Sequence, residues 1–271
     1  MTSRSWLFVP GGRPERFAKA SSSGAHEVII DLEDAVAPAD KARAREDIRA
    51  WLTTGHTAWV RLNDAGNDAH QYDLEAVAGL AGLIGVVLAK VESRDQVADV
   101  VARLDVPVLG LVETALGIEN VSTIAHERGI ATLALGVADL RLDLGLGEDP
   151  LAWAYARSRL VVASRAAGLA APIDGPTMFL DEAATVRRDT LRARDLGFGG
   201  KLCVHPSQVS VVNEAFRPSQ DDVDWAQAVV AAAATGEAVR IDGQMIDRPR
   251  VELARRVLSE VDLEEGQQRG A

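Results

Sequence analysis

The sequence predicts an α/β fold, a (β/α)₈ barrel of the TIM type followed by a C-terminal helical arm that could act as a lid or an oligomer contact. Three observations carry that expectation. Short apolar, β-branched runs recur eight times at a steady interval. Segments rich in Ala, Leu, Arg and Glu with helical spacing lie between them. The 271 residues fit one barrel of about 200–250 residues with a surplus left over.

The strand candidates, in order, are 5–9, 27–32, 58–62, 85–89, 106–112, 131–137, 170–173 and 201–204. Most are too short for helices and nearly continuous in apolar character, as expected of parallel strands covered on both faces. The helix candidates are 14–21, 39–52, 73–80, 93–104, 118–127, 151–167 and 181–196. An open doubly wound sheet is the alternative, but Pro10-Gly11-Gly12-Arg13-Pro14 lacks the GxGxxG spacing such sheets use for dinucleotides. His205-Pro206 ends the eighth strand. A helix over 207–215 then leads to the break Arg217-Pro218-Ser219, a long helix over 221–234 and an alternating segment over 237–247. A last helix starts at Pro249, a favoured first-turn residue, and the polar stretch 264–271 is expected to fray. The barrel is therefore assigned to 1–217 and the arm to 218–271.

Composition narrows the partners. Forty acids against 29 bases give a net charge of −11. With no basic cluster, neither nucleic acid nor an anionic membrane surface is expected as the main partner. An anionic small molecule remains possible where a few bases converge. The single cysteine, Cys203, excludes an internal disulfide and a multi-cysteine metal site, and its place inside a strand makes it core rather than nucleophile. The chain enters its first strand by Trp6 with no apolar leader-like segment, and no stretch approaches the length of a membrane span, so a cytoplasmic protein is expected.

In a barrel the C-terminal strand ends form the reactive face. The charges at those ends are Asp31-Leu32-Glu33-Asp34, Arg61, Lys90 and Glu92, Glu113, Asp139, Asp174 and His205. Glu113 and Asp139 end consecutive strands, and two close carboxylates suit a hard divalent cation such as Mg²⁺, which takes one or two protein carboxylates and completes its shell with water and substrate. Without a cation, one of the two would hold a proton. The five histidines are scattered, mostly on the surface by this reading, and offer no zinc cluster. Glu33 and Asp34 suit metal-bound waters, or else cap the helix that follows. Arg61 presents a planar fork suited to a substrate carboxylate, the alternative being a salt bridge to Glu33 or Asp34 alone.

The motifs themselves resemble the citrate lyase beta-subunit-like branch of the HpcH/HpaI aldolase superfamily. They begin with Leu7-Phe8-Val9-Pro10-Gly11, Arg13-Pro14-Glu15-Arg16-Phe17 and Asp31-Leu32-Glu33-Asp34-Ala35-Val36 with Lys41. They continue through Val60-Arg61-Leu62-Asn63, Leu111-Val112-Glu113-Thr114-Ala115, Gly136-Val137-Ala138-Asp139-Leu140 and Val204-His205-Pro206-Ser207-Gln208, and close with Asp242-Gly243-Gln244-Met245-Ile246-Asp247-Arg248-Pro249. The resemblance spans about Trp6 to Leu258. It implies a Mg²⁺-dependent barrel that makes or breaks a carbon–carbon bond beside a CoA thioester. Glu113 and Asp139 would be the metal ligands, and Glu33 and Asp34 would contact metal waters. Arg61 would hold the acid's carboxylate, with the backbone of Gly136, Val137 and Ala138 approaching the same group. Arg16 and Lys19 would lie where the CoA nucleotide docks. In malyl-CoA lyase-like and citramalyl-CoA lyase-like relatives, the aspartate corresponding to Asp247 sits on a lid and reaches a neighbour's site in a homotrimer. The alternative for Asp247 is an N-cap of the final helix. The histidine base of the class II aldolases has no counterpart within 31–34 or 61–63.

The expected activity is cleavage of a 3-hydroxyacyl-CoA, such as citryl-, malyl-, citramalyl- or hydroxymethylglutaryl-CoA, to a keto acid and an acyl-CoA. Two alternatives are a malyl-CoA-type thioesterase and a citrate lyase subunit that works on an acyl-carrier protein.

Overall fold

A computed structural model describes residues 3–147, 149–180, 182–234, 240–241 and 244–268 of the chain. It divides into two compact units, 2–213 and 214–271. The larger is a closed barrel whose eight parallel strands pair in sequence order, the last returning to the first. They are β1 (Ser5–Pro10), β2 (Glu27–Asp31), β3 (Ala58–Leu62), β4 (Leu83–Leu88), β5 (Val108–Val112), β6 (Ile130–Leu135), β7 (Ile173–Asp174) and β8 (Gly200–Cys203). Around them run α1 (Phe17–Ser21), α2 (Lys41–Thr53), α3 (Ala69–Val77), α4 (Arg94–Leu104), α5 (Ala115–Ala125), α6 (Val137–Leu144), α7 (Ala154–Ala166), α8 (Ala183–Asp195) and α9 (Ser207–Ala215).

Alternate strand residues fill the barrel's interior. Trp6, Ile29, Trp59, Val87, Leu109, Leu111, Ala134, Ile173 and Leu202 form one buried cluster, with Phe8 packed against it. Trp6 and Trp59 meet edge to face at 5.2 Å, a favoured aromatic geometry. Because the side-chain period of a strand is two, the next inward positions toward the C-terminal end are Asp31, Arg61 and Glu113. The apolar floor therefore gives way to charge at the level where the strands stop.

Four elements differ most from the expectation. The sixth strand stops at Leu135, and the residues read as its end begin α6, for which Gly136 is the N-cap residue. The seventh is two residues long and starts later than expected, at Ile173, because Pro172 has no N–H for the ladder. Helix α3 starts at Ala69 and ends at Val77 rather than spanning 73–80, since the chain turns at Gly79 with φ +70°. Helix α5 likewise begins earlier, at Ala115, capped by the Thr114 hydroxyl, which accepts from the Gly117 N–H.

The smaller unit contains α10 (Gln220–Ala234), a two-stranded antiparallel ladder of β9 (Arg240–Ile241) and β10 (Gln244–Met245), and α11 (Arg248–Gln268). Ala226, Val229 and Ala254 are its buried centre, flanked by Trp225, Val230, Ile246, Val251, Val257 and Leu258. Helix α11 runs on to Gln268, into the stretch expected to fray. Asp242 and Gly243 of the C-terminal motif, and Asp181 of the helix candidate 181–196, lie outside the described residues. Among the described residues no helix is long and apolar enough to cross a membrane.

Candidate active site

Arg61 organises the rim. Its Nε and Nη2 donate to Asp31 Oδ1 and Oδ2 at 2.7 and 2.6 Å, a bidentate fork. Phe8 lies under the guanidinium, 4.9 Å from ring centre to Cζ. Nη1 stands 2.7 Å from Glu33 Oε2. That contact is one of charge rather than an aligned hydrogen bond, and Oε2 is buried without a hydrogen-bond partner. The fork uses one N–H each of Nε and Nη2, so Arg61 is held by Asp31 as well as paired with the expected Glu33, and retains N–H groups for a further carboxylate. Burial opposes its charge, but Asp31 and Glu33 outweigh it and hold the guanidinium firmly protonated.

The loop after β2 is built to present Glu33. Asp31 accepts from the Glu33 and Ala35 amides at 2.8 and 3.2 Å. Lys41 of α2 donates to the carbonyls of Leu32 and Glu33 at 3.1 and 3.2 Å, and to Asn63 Oδ1. Asn63 is in turn tied to Asp73, which Arg45 pairs at 2.9 Å. The Glu33 carboxyl is pushed up by burial, against the pull of Arg61 and Lys90. Asp34, by contrast, is exposed.

Glu113 is buried at the end of β5, and Oε1 accepts the Lys90 amide at 2.8 Å. A Cβ on Gly136 would collide with Oε2, so a bare α-carbon at that position is what lets the carboxylate lie there. Burial first, and then the charge of Glu33, push the Glu113 carboxyl up to about 8, with Asp139 adding to the shift. Asp139 sits not on a strand but in the first turn of α6, where a negative charge complements the helix dipole. The same turn carries the amides of Val137, Ala138 and Asp139, which have no acceptor within the helix. Lys90 bridges this group: Nζ donates to Glu33 Oε1 at 2.5 Å and lies 4.0 Å from Asp139 Oδ1.

These residues fit a hard divalent cation. Four carboxylates face two cationic side chains, a buried oxygen of Glu33 lacks a hydrogen bond, and burial with the charge of Glu33 raises the Glu113 carboxyl to about 8. Among the described residues no cluster of three or more His, Cys, Asp or Glu could enclose a metal. On the same face, a cleft of about 330 Å³ is lined by Leu7, Phe8, Val9, Pro10, Arg16, Lys19, Ala20 and the turn Val204-His205-Pro206. Arg16 and Lys19 thus share one cleft, whereas Arg13 is engaged by Glu15 at 2.5 Å.

Other rim candidates point elsewhere. Asp174 follows the inward Ile173 and so faces outward, where Arg157 of α7 donates to it at 2.9 Å and Lys201 at 3.2 Å. Lys201 also donates to the Gly175 carbonyl at 2.5 Å. Burial would raise the Asp174 carboxyl, but Lys201 and Arg157 bring it below its ordinary value. Cys203 is buried, and desolvation pushes its thiol up to about 12, which leaves it inert. His70, expected at the surface, is buried and donates through its Nδ1 to the Asn63 carbonyl at 2.7 Å. In the smaller unit, Asp247 is exposed and its Oδ1 accepts the Arg250 amide at 3.1 Å, the N-cap role.

Comparison with known proteins places this geometry in context. The family described as HpcH/HpaI aldolase/citrate lyase matches residues 4–206. A citrate lyase subunit beta-like protein of Mycobacterium tuberculosis is 37% identical over 252 residues, covering 90% of each chain. A (3S)-malyl-CoA thioesterase of Cereibacter sphaeroides is 31% identical over 271 residues, covering 96% of this chain and 94% of that one. The crystal structure of CitE from M. tuberculosis with magnesium, acetoacetate and coenzyme A superposes with a TM-score of 0.86 at 35% identity, covering 96% of this chain and 98% of that one.

Proposed function

The chain belongs to the HpcH/HpaI aldolase/citrate lyase family, and from that premise we propose that it is a Mg²⁺-dependent carbon–carbon lyase acting on a 3-hydroxyacyl-CoA thioester. Citryl-, malyl-, citramalyl- and hydroxymethylglutaryl-CoA are the substrate class, with a keto acid and an acyl-CoA as products. The observation that carries this reading is the excess of carboxylate around Arg61 beside a basic cleft on the same barrel face. Magnesium bound in the crystal structure of the M. tuberculosis relative supports it.

Glu113 and Asp139 would hold the cation, with Glu33 and Asp34 receiving its waters. When bound, the cation supplies Lewis acidity toward the hydroxyl and carboxylate oxygens of the acid. Arg61 holds the carboxylate through N–H groups not used by Asp31, and the amides of Val137 and Ala138 approach the same group from the first turn of α6. Arg16 and Lys19 neutralise the phosphates of CoA in their cleft. With the two fragments aligned, a base takes the hydroxyl proton. The C3–O bond becomes a carbonyl as the C2–C3 bond breaks, and its electron pair passes to C2 as a thioester enolate. A proton delivered to C2 completes the acyl-CoA. Asp247 is the group proposed to hold that proton, as part of a lid supplied by 218–271 in a homotrimer.

The malyl-CoA thioesterase relative supports a second reading, hydrolysis of the thioester. A panel of these CoA esters with Mg²⁺ and with chelator, resolved by mass, separates the two. Lysis releases a keto acid, while hydrolysis releases the intact hydroxyacid, and no turnover of any ester removes both readings. Asp247→Ala is expected to lose carbon–carbon chemistry while CoA-ester binding persists; wild-type rates would remove the lid proposal.

A further inference from the structure

Lys90 has no task in the reaction above, yet the backbone adopts a rare conformation to place it. Its φ is +48°, in the left-handed region that residues with a Cβ seldom enter. That conformation lets one residue serve three acids at once. Its amide fixes Glu113 Oε1, and its side chain returns to Glu33 Oε1 at 2.5 Å with Asp139 Oδ1 4.0 Å away. The ammonium is thus a single positive charge set among the carboxylates that the divalent cation would need, with 30% of the side chain still exposed.

We propose that Lys90 is a positioning residue that competes with the divalent cation for Asp139 and Glu33, keeping that cation weakly held and exchangeable until substrate oxygens complete its shell. The inference rests on the reading that Glu113 and Asp139 bind Mg²⁺. A second cation brought to the same carboxylates is repelled by the ammonium, which must lean away to admit it. A point charge on a flexible four-carbon stem can do that, where a rigid fork could not. The contact to Glu113 is made by the amide, so removing the charge leaves Glu113 in place.

Calorimetric titration of the full-length protein with Mg²⁺, without substrate, tests this. Lys90→Met is expected to bind Mg²⁺ about tenfold more tightly than wild type, as loss of a like charge within a few ångströms implies. Glu113→Gln should lose binding. Equal or weaker binding by Lys90→Met, with Glu113→Gln still defective, overturns the inference and leaves the metal pair standing. Undiminished binding by Glu113→Gln overturns the metal reading itself. A measurement on the wild-type chain covers a variant that fails to fold. The four lysines, Lys19, Lys41, Lys90 and Lys201, are modified with a water-soluble amine reagent and resolved by mass. Lys90 is expected to react several-fold faster with Mg²⁺ than without, and an unchanged rate overturns the proposal.

Discussion

Two buried charge clusters lie on the two sides of one barrel wall. At the inner rim Asp31, Glu33, Glu113 and Asp139 face Arg61 and Lys90. Outside β7 and β8 the single acid Asp174 faces Lys201 and Arg157. The outer acid is hydrogen-bonded on both oxygens, and its carboxyl is held below the ordinary range. The inner set leaves one Glu33 oxygen without a hydrogen bond and raises Glu113. The outer group satisfies its acid within the fold, whereas the inner set has more acids than bases and is the one to which the proposed function assigns a cation. This difference, rather than burial or charge alone, distinguishes a site from a strut.

The largest test of that distinction is Glu113→Gln. It should lower turnover by at least about 10³-fold, as for the loss of a main charge stabiliser, while the fold stays intact. Turnover near wild type would erase the contrast. Asp174→Asn should do the reverse. It strands Lys201 and Arg157, so denaturant unfolding should report a loss of about 3–5 kcal/mol, with kcat per folded molecule little changed. Next comes Arg61→Lys, expected to cost about 10²-fold in kcat/KM by losing the fork; an unchanged value would make Arg61 another strut.

The pH dependence of stability sharpens the comparison most finely, because the two clusters should tilt it in opposite directions. Glu113 has a folded value of about 8 against an ordinary 4.5, so its contribution is full below 4.5 and lost as pH rises through 8. Asp174 lies below its ordinary 3.8, so its contribution is present above 3.8 and lost as pH falls through the folded value. Thermal melts of metal-free wild type should decline on both sides. Glu113→Gln should flatten the alkaline limb, and Asp174→Asn the acid limb. A limb that keeps its slope would refute the corresponding assignment.

Much of this was legible in the sequence. The eightfold recurrence of apolar runs predicted the closed barrel, and Glu113, Arg61 and Glu33 could be placed because each lies at or just beyond the C-terminal end of a strand. What escaped depended on side-chain parity and backbone angles. Asp174 reads as a rim residue until the register puts Ile173 inward, for one residue of shift exchanges the two faces of a strand. Asp139 reads as a strand-end residue because Gly136 does not announce whether the chain continues or turns into a helix. The service of Asp31 to Arg61, and that of Lys90 to three acids, arise between elements distant in the sequence. The φ of +48° at Lys90 leaves no mark on composition or periodicity. One signal was available for the second: lysine is scarce in this arginine-rich chain, and Lys90 is one of four.

The buried thiol of Cys203 has a practical consequence. Pushed up to about 12, it stays protonated and out of reach of maleimides at neutral pH, so the wild-type chain is already a silent background for site-specific labelling. A cysteine introduced at an exposed position such as Glu252 of α11 would then carry a fluorophore alone, with no need to remove the native residue from the core. The C-terminal unit could be watched during turnover by its own light.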